Sequence, residues 1–160
     1  MNKEKLEILW DTITPKLYGY LINTLHDRDL ADDILQTTWQ KAIEALPSFT
    51  DRGSGFSAWL FAIARNECKQ HWRKGGREVS FDETVHDKEV AVSNTEDKIF
   101  IDQMLMQLSL SGRELIRLRY IADLSLNDIA KLLEINPITV RVRMHRALSS
   151  MRALILKQQL

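Results

Sequence analysis

Residues 125–140 read SLNDIAKLLEINPITV, and this stretch has the pattern of two short helices that meet at a tight turn. Ser125 and Asp128 suit the start of the first helix. Asn136 is a good N-cap, and Pro137 is a good first helical residue for the second helix. The stretch predicts a helix-turn-helix, which would lay its second helix in the major groove of duplex DNA.

The second helix of this motif has one apolar side and one outward side. At about 100° per residue, the apolar side collects Val140, Met144, Ala147, Leu148 and Met151. The outward side carries Thr139, Val142 and Arg146, with Arg143 on its flank. Arginine binds guanine or phosphate, and an exposed Val142 or Ile138 would meet a thymine methyl group. The alternative is a helical hairpin whose arginines are only solvated.

A second group of basic residues lies on a helix predicted from about Phe56 to Lys74. One side of this helix collects Phe56, Trp59, Leu60 and Ile63, and the opposite side collects Arg65, Lys69 and Arg73, with Trp72 beside them. Basic side chains next to an aromatic ring suit single-stranded DNA, which they hold by phosphate attraction and base stacking. In the alternative interpretation, Trp72 packs on the preceding helices.

The remaining apolar pattern predicts an all-α chain. A helical stripe runs from Leu6 to Leu25, which Pro15 is expected to bend or split, and another runs from Leu30 to Leu46, with Asp29 as its expected N-cap. Two pairs with capping-box spacing predict further helix starts, and they are Ser93 with Glu96 and Ser111 with Glu114.

The predicted organisation is two small helical bundles joined by a flexible acidic linker. Residues 1–76 form the first bundle, residues 77–92 the linker, and residues 93–160 the second bundle, which contains the helix-turn-helix. The linker is predicted from its many acids, its low aromatic content and its lack of a sustained period.

Charge is segregated along a chain whose formal net charge is +0. Residues 48–77 carry six basic and two acidic side chains, residues 78–102 carry two basic and eight acidic ones, and residues 125–160 carry six basic and two acidic ones. Basic segments of this kind make the phosphate contacts that dominate nucleic-acid affinity. Ordinary solvated surfaces are the alternative on charge alone.

The composition argues against several classes of protein. A single cysteine, Cys68, excludes a disulfide framework within the chain, and no Cys/His spacing predicts a metal site. No nucleophile set or phosphate-binding glycine loop predicts an enzyme or a cofactor. No apolar run predicts a signal peptide or a membrane span, so we expect a cytoplasmic protein without membrane insertion.

The predicted second helix also exposes a polar face. Its outward side chains are Asp32, Asp33, Gln36, Thr37 and Gln40. Negative charge makes this face unsuited to DNA, so it predicts either a protein partner or a merely solvated helix.

Three segments together resemble the bacterial sigma factors of the extracytoplasmic-function group, in the order of that family. They are residues 31–39, residues 56–66, and a segment that runs from Leu108 through Arg113 and Ser125 to residues 139–147. The first is similar to the family helix that grips the clamp of RNA polymerase. The second resembles the segment that opens and reads the minus-ten element, and the third resembles the module that reads the minus-thirty-five element.

The resemblance implies site residues for each of these roles. Asn66 joins Arg65, Lys69, Trp72 and Arg73 at the minus-ten element, and Arg141 joins the outward residues at the minus-thirty-five element. Some positions depart from the family pattern, and they are Thr37, Gln70, Ser109, Glu134, Ile138 and Val142. The apolar Ile138 and Val142, in place of the frequent glycine and serine, are expected to alter base preference.

The predicted function is therefore a non-enzymatic factor that binds core RNA polymerase and both duplex and melted promoter DNA. An anti-sigma factor is a further candidate partner. Two other hypotheses stay open from the sequence: a helix-turn-helix regulator that acts without polymerase core, and a helical adaptor that binds only protein.

Overall fold

The computed structural model describes residues 1–51, 53, 55–75 and 96–159, apart from the side chains of residues 97 and 98. Helices dominate these residues, and none of them lies in a strand, which confirms the all-α prediction. The helices are α1 (Lys3–Leu25), α2 (Arg28–Ala45), α3 (Gly55–Lys74), α4 (Glu96–Met106), α5 (Leu110–Ile116), α6 (Leu126–Leu133) and α7 (Pro137–Gln158). A 3₁₀ turn, Leu46–Ser48, follows α2, and a π-helical segment, Arg117–Ile121, continues α5.

Helix α1 is continuous through Pro15, so the expected split of this helix is wrong. Proline removes the hydrogen bond to the carbonyl of Asp11, four residues earlier. Both Pro15 and Asp11 are exposed, so water can satisfy that carbonyl. The helix begins at the cap Asn2, whose Oδ1 accepts from the Lys5 N–H at 2.9 Å.

Two predicted caps are wrong by two residues each. Asp27, rather than Asp29, caps α2, and its Oδ1 accepts from the Leu30 N–H at 3.1 Å. Ser109, rather than Ser111, caps α5, and its Oγ accepts from the Gly112 N–H at 3.1 Å. The earlier start of α5 places Glu114 inside the protein rather than at a helix end. The predicted cap Ser93 and the predicted linker, 77–92, lie outside the described residues.

Aromatic rings hold α1, α2 and α3 together as an N-terminal module. Trp39 of α2 is buried, and its ring centroid lies 4.5 Å from that of Trp10 and 6.0 Å from that of Phe56. Lys41 of α2 forms an ion pair with Glu67 of α3. These contacts fix the orientation of α3.

A second group of helices, α4 to α7, forms a C-terminal module that packs directly against the first. Leu118 of the π-helical segment is fully buried in an apolar core that is continuous with Leu17 and Leu21 of α1. The approach is close at Gly19, where an added Cβ would lie 3.3 Å from Ile121 Cγ2. The sequence predicted two bundles but did not predict this contact between them.

Candidate nucleic-acid and polymerase interfaces

The local geometry of α6 and α7 confirms the predicted helix-turn-helix syntax. Ser125 Oγ accepts from the Asp128 N–H at 3.1 Å, and Asn136 Oδ1 accepts from the Ile138 N–H at 2.8 Å. Glu134 closes α6 in the left-handed region, at φ 55°. A residue with a side chain costs roughly 1–2 kcal/mol in that region. Glu134 therefore adopts the turn conformation at an energetic cost that a glycine would avoid.

The outward face of α7 is open to solvent, as predicted. Val140, Met144 and Ala147 are buried beneath the helix. The opposite face exposes Arg141, Val142, Arg143 and Arg146, while Thr139 is half-buried. Arg143 Nη1 donates a long hydrogen bond, 3.5 Å, to Ser111 Oγ. Apolar side chains are exposed beside the arginines, with Ile138 67% exposed and Val142 44% exposed.

The basic face of α3 differs from the expected outward position. Arg65 points into the protein, where its side chain is 16% exposed and its Nε donates to Glu114 Oε1 at 3.3 Å. Lys69 and Trp72 are half-buried, and Trp72 packs against the core. Asn66 and Arg73 are exposed. The residues predicted to read the minus-ten element are therefore divided between a covered part and an open part.

Sequence reasoning missed a polar cluster between the two modules. Tyr20 Oη donates to Glu114 Oε1 at 2.8 Å, beside the Arg65 contact. Arg117 Nε donates to Asn23 Oδ1 at 2.7 Å, and Asn23 Nδ2 donates to Asp102 Oδ1 at 3.2 Å. We call these residues the inter-module cluster, and its members are Tyr20, Asn23, Arg65, Asp102, Glu114 and Arg117. Every hydrogen bond named here joins the N-terminal module to the C-terminal module.

Burial controls the ionisation of this cluster. It raises the pKa of Glu114 above its usual value, against the opposing charges of Arg117 and Arg65. Burial also raises the pKa of Tyr20, and the Glu114 carboxylate adds to that effect. Outside the cluster, burial lowers the pKa of Lys69 on α3, as do the neighbouring charges of Arg65 and Arg73. No sequence signal marked this cluster, because the spacing of Glu114 from Ser111 indicated a helix cap.

The polar face of α2 forms one open strip. Asp32, Asp33, Gln36 and Gln40 are exposed, and Thr37 is half-buried at its edge. Gln40 Nε2 donates to Glu44 Oε1 at 3.3 Å. The structure thus brings together all five residues predicted to contact polymerase.

Three further properties concern only the part of the chain that the structure describes. Cys68 is a buried free thiol. Within that part, no group of three or more His, Cys, Asp and Glu side chains is placed to hold a metal ion. Of its helices, none combines the length and the apolar character that a membrane span requires.

Comparison with known proteins decides which family carries these interfaces. Family models match residues 9–78 as Sigma-70 region 2 and residues 101–151 as Sigma-70 region 4. The chain is 31% identical to the RNA polymerase sigma-H factor of Pseudomonas aeruginosa, over 91% of this chain and 83% of that protein. The chain belongs to the sigma-70 family. This sigma factor directs RNA polymerase in transcription initiation, and its partners are core RNA polymerase and promoter DNA.

Other relatives place this sigma factor in the extracytoplasmic-function group, as the resemblance implied. It is 28% identical to the ECF RNA polymerase sigma factor SigD of Mycobacterium tuberculosis, over 94% of this chain and 77% of that protein. A solved structure of the sigma factor RpoE from Bartonella quintana, in complex with the anti-sigma factor NepR, matches with a TM-score of 0.77 and 30% identity. That match covers 95% of this chain and 97% of RpoE. These matches favour the sigma factor over the polymerase-independent regulator and the protein-binding adaptor.

Proposed function

We propose that the two modules divide promoter recognition between them. The N-terminal module, residues 1–76, binds core polymerase through α2 and captures the melted minus-ten strand with α3. The C-terminal module, residues 93–160, reads the minus-thirty-five duplex with α7, and residues 77–92 link the two. The observation that carries this proposal is the open face of α7, where three exposed arginines stand on a helix whose opposite side is packed against its own module.

The contact of α7 with the minus-thirty-five element is testable with a matched arginine control. A promoter is first selected from a randomised duplex pool with the reconstituted holoenzyme. Arg143→Ala and Arg146→Ala should each reduce run-off transcription from it, since one lost base or phosphate contact costs about 1–3 kcal/mol. Arg152→Ala removes an exposed arginine further along the same helix and should leave transcription unchanged. Equal losses in all three variants would contradict the assignment.

The exposed pair Ile138 and Val142 extends the proposal to base preference. Ile138 and Val142 are exposed one helical turn apart on α7, and a thymine methyl group is the apolar feature of the major groove. Replacing thymine by deoxyuridine in the minus-thirty-five element removes that methyl group. We expect the parent protein to bind the deoxyuridine DNA more weakly than the thymine DNA. The Ile138→Ala/Val142→Ala variant should bind the two DNAs equally well.

The strip on α2 is proposed to bind core polymerase. Asp33→Arg reverses an exposed charge of the strip and should abolish co-purification with core polymerase. Glu7→Arg reverses the charge of an exposed acid on α1, outside the proposed strip, and should co-purify normally. A normal result for Asp33→Arg would remove α2 from the polymerase interface.

Three further properties follow from the family. Sigma factors act as non-enzymatic initiation factors, so we propose that this chain performs no covalent chemistry of its own. We propose a cytoplasmic location because its partners, core polymerase and promoter DNA, are there. An anti-sigma factor is proposed as an additional partner, because the similar RpoE chain was solved bound to one.

A further inference from the structure

The outward face of α7 carries a histidine in addition to its arginines and its apolar pair. His145 is exposed and lies one turn after Val142, which itself lies one turn after Ile138. At about 100° per residue, His145 stands roughly 140° round the helix from the buried Val140. His145 therefore belongs to the surface that is proposed to meet the minus-thirty-five duplex.

The surroundings of His145 on its own helix are basic. Arg141 precedes it by one turn and Arg146 follows it directly, and both arginines are exposed. Helix α7, Pro137–Gln158, contains no aspartate and no glutamate. An anion that meets His145 must therefore come from outside α7.

The neighbouring helices supply no such anion among the described residues. Helices α4, α5 and α6 pack against α7 and cover its other side, where Val140 and Met144 are buried. His145 forms no hydrogen bond or ion pair with any residue that the structure describes. The charged side chains described on these three helices are Glu96, Asp102, Arg113, Glu114, Asp128 and Lys131.

The position of His145 along α7 favours a phosphate over a base as its partner. In a helix-turn-helix, the N-terminal residues of the second helix contact the base edges. His145 lies seven residues after Ile138, which is about 10 Å along the helix axis at 1.5 Å per residue. The major groove is about 12 Å wide, so a side chain this far along the helix reaches the edge of the groove, where the phosphates lie.

We propose that His145 contacts a backbone phosphate of the minus-thirty-five duplex in its protonated form, so that promoter binding takes up a proton. This inference rests on the proposed role of α7. Histidine is the side chain that ordinarily changes charge between about pH 5 and 8, and a nearby phosphate favours the charged form. The proton comes from the solvent and stays on the imidazole, and no covalent bond forms or breaks. Affinity for the duplex therefore rises as pH falls through this range.

The pH dependence of duplex binding is the first test. Reconstituted holoenzyme is titrated at about pH 6 and about pH 8 with an upstream duplex that contains the minus-thirty-five element and ends before the minus-ten element. The parent protein should bind more tightly at the lower pH, by up to roughly eightfold at about 0.1 M salt, since one phosphate contact contributes about 0.9 to the salt slope.

Two variants separate His145 from the rest of the holoenzyme. His145→Gln keeps a polar side chain without the charge, so the ratio of parent to variant affinity should fall to one at the higher pH. This ratio also cancels any pH dependence of core polymerase. His71→Gln removes an exposed histidine of α3 and is the matched control, which should keep the parent profile.

The salt dependence of binding identifies the contact as ionic. For the parent protein, the slope of log affinity against log salt should be steeper at the lower pH by about 0.9. His145→Gln should show the shallow slope at both pH values. His145→Arg carries a permanent charge, so it should restore tight binding with the steep slope at both pH values.

Neutral methylphosphonate linkages, placed one at a time in the upstream duplex, locate the phosphate. One of these substitutions should remove the pH dependence of the parent protein and leave the affinity of His145→Gln unchanged. If no single linkage has this effect, the phosphate contact is wrong.

The proton linkage is overturned if parent and His145→Gln holoenzymes share one pH profile, or if pH leaves the parent salt slope unchanged. Failure of the proposed function is a separate result. It would appear as unchanged transcription by Arg143→Ala and Arg146→Ala, whereas failure of this inference alone would leave those losses in place and make His145→Gln behave as the parent protein.

Discussion

Helices α3 and α7 carry similar basic side chains and meet different surroundings. On α7, Arg141, Arg143 and Arg146 face solvent from a helix whose apolar side is packed on its own module. On α3, Arg65 is turned into the contact between modules and bonded to Glu114. The surface proposed to read the minus-thirty-five element is therefore open, whereas part of the surface proposed to capture the minus-ten strand is covered.

The difference teaches that basic composition alone does not define a DNA-binding surface. An arginine that is free to meet phosphate and one that is held by a buried carboxylate look alike in the sequence. The environment also changes the energetics, because a charge pair inside the protein responds strongly to the loss of one partner. The following variants test how far the two helices differ.

Removal of the Glu114 carboxylate should have the largest effect. Glu114→Ala removes the buried carboxylate that interacts with Arg65 and with the buried Arg117, and breaking a buried charge pair costs about 3–5 kcal/mol. We expect a large loss of unfolding free energy in urea titrations and an expanded protein by small-angle scattering. Glu7→Ala removes an exposed acid of α1 and should change neither property. A compact and fully stable Glu114→Ala protein would show that the cluster does not hold the modules.

Removal of the Asn136 cap should have a smaller effect that is confined to the open helix. Asn136→Ala leaves the Ile138 N–H without its acceptor, which costs about 1 kcal/mol. The midpoint of thermal unfolding should fall while the radius of gyration stays the same. Ser149→Ala, an exposed serine later in α7, is the control and should leave the midpoint unchanged.

The pH dependence of stability should distinguish the covered side chain from an exposed one. The folded pKa of Glu114 is raised by burial, so the stability that it contributes is full below its ordinary pKa of 4.5 and is lost as pH rises through the folded value. The folded pKa of Asp123 is lowered by Lys16, so its contribution is present above its ordinary pKa and is lost as pH falls. Unfolding free energies should be measured by urea titration at a series of pH values. Glu114→Gln should remove the loss of stability with rising pH and keep the loss with falling pH that Asp123 causes.

Loss of the exposed ion pair between Lys16 and Asp123 should have the smallest effect on stability. Lys16→Ala removes the partner of Asp123, and solvent-exposed pairs contribute little to stability. We expect unfolding free energy and compactness close to those of the parent protein. A loss comparable to that of Glu114→Ala would place the main inter-module contact at the surface and overturn our comparison.

Local patterns were sufficient to predict much of this molecule. The caps Ser125 and Asn136, the buried side of α7 and the polar strip on α2 all follow from helical spacing and short-range hydrogen bonding. The caps of α2 and α5 were misplaced because neighbouring acids and serines have similar capping ability, and the tertiary contacts select the register. Glu114 shows the consequence, since it was interpreted as a capping residue and lies between the modules.

The sequence by itself determined the all-α class, the helix-turn-helix and the order of segments that the sigma-70 family shares, because these depend on neighbours within one or two helical turns. Only the tertiary structure decided that Arg65 is covered while Arg146 is open. The residues that meet Arg65 there, Glu114 foremost, lie far away along the chain, and periodicity within a helix shows which side is buried but not which distant group covers it.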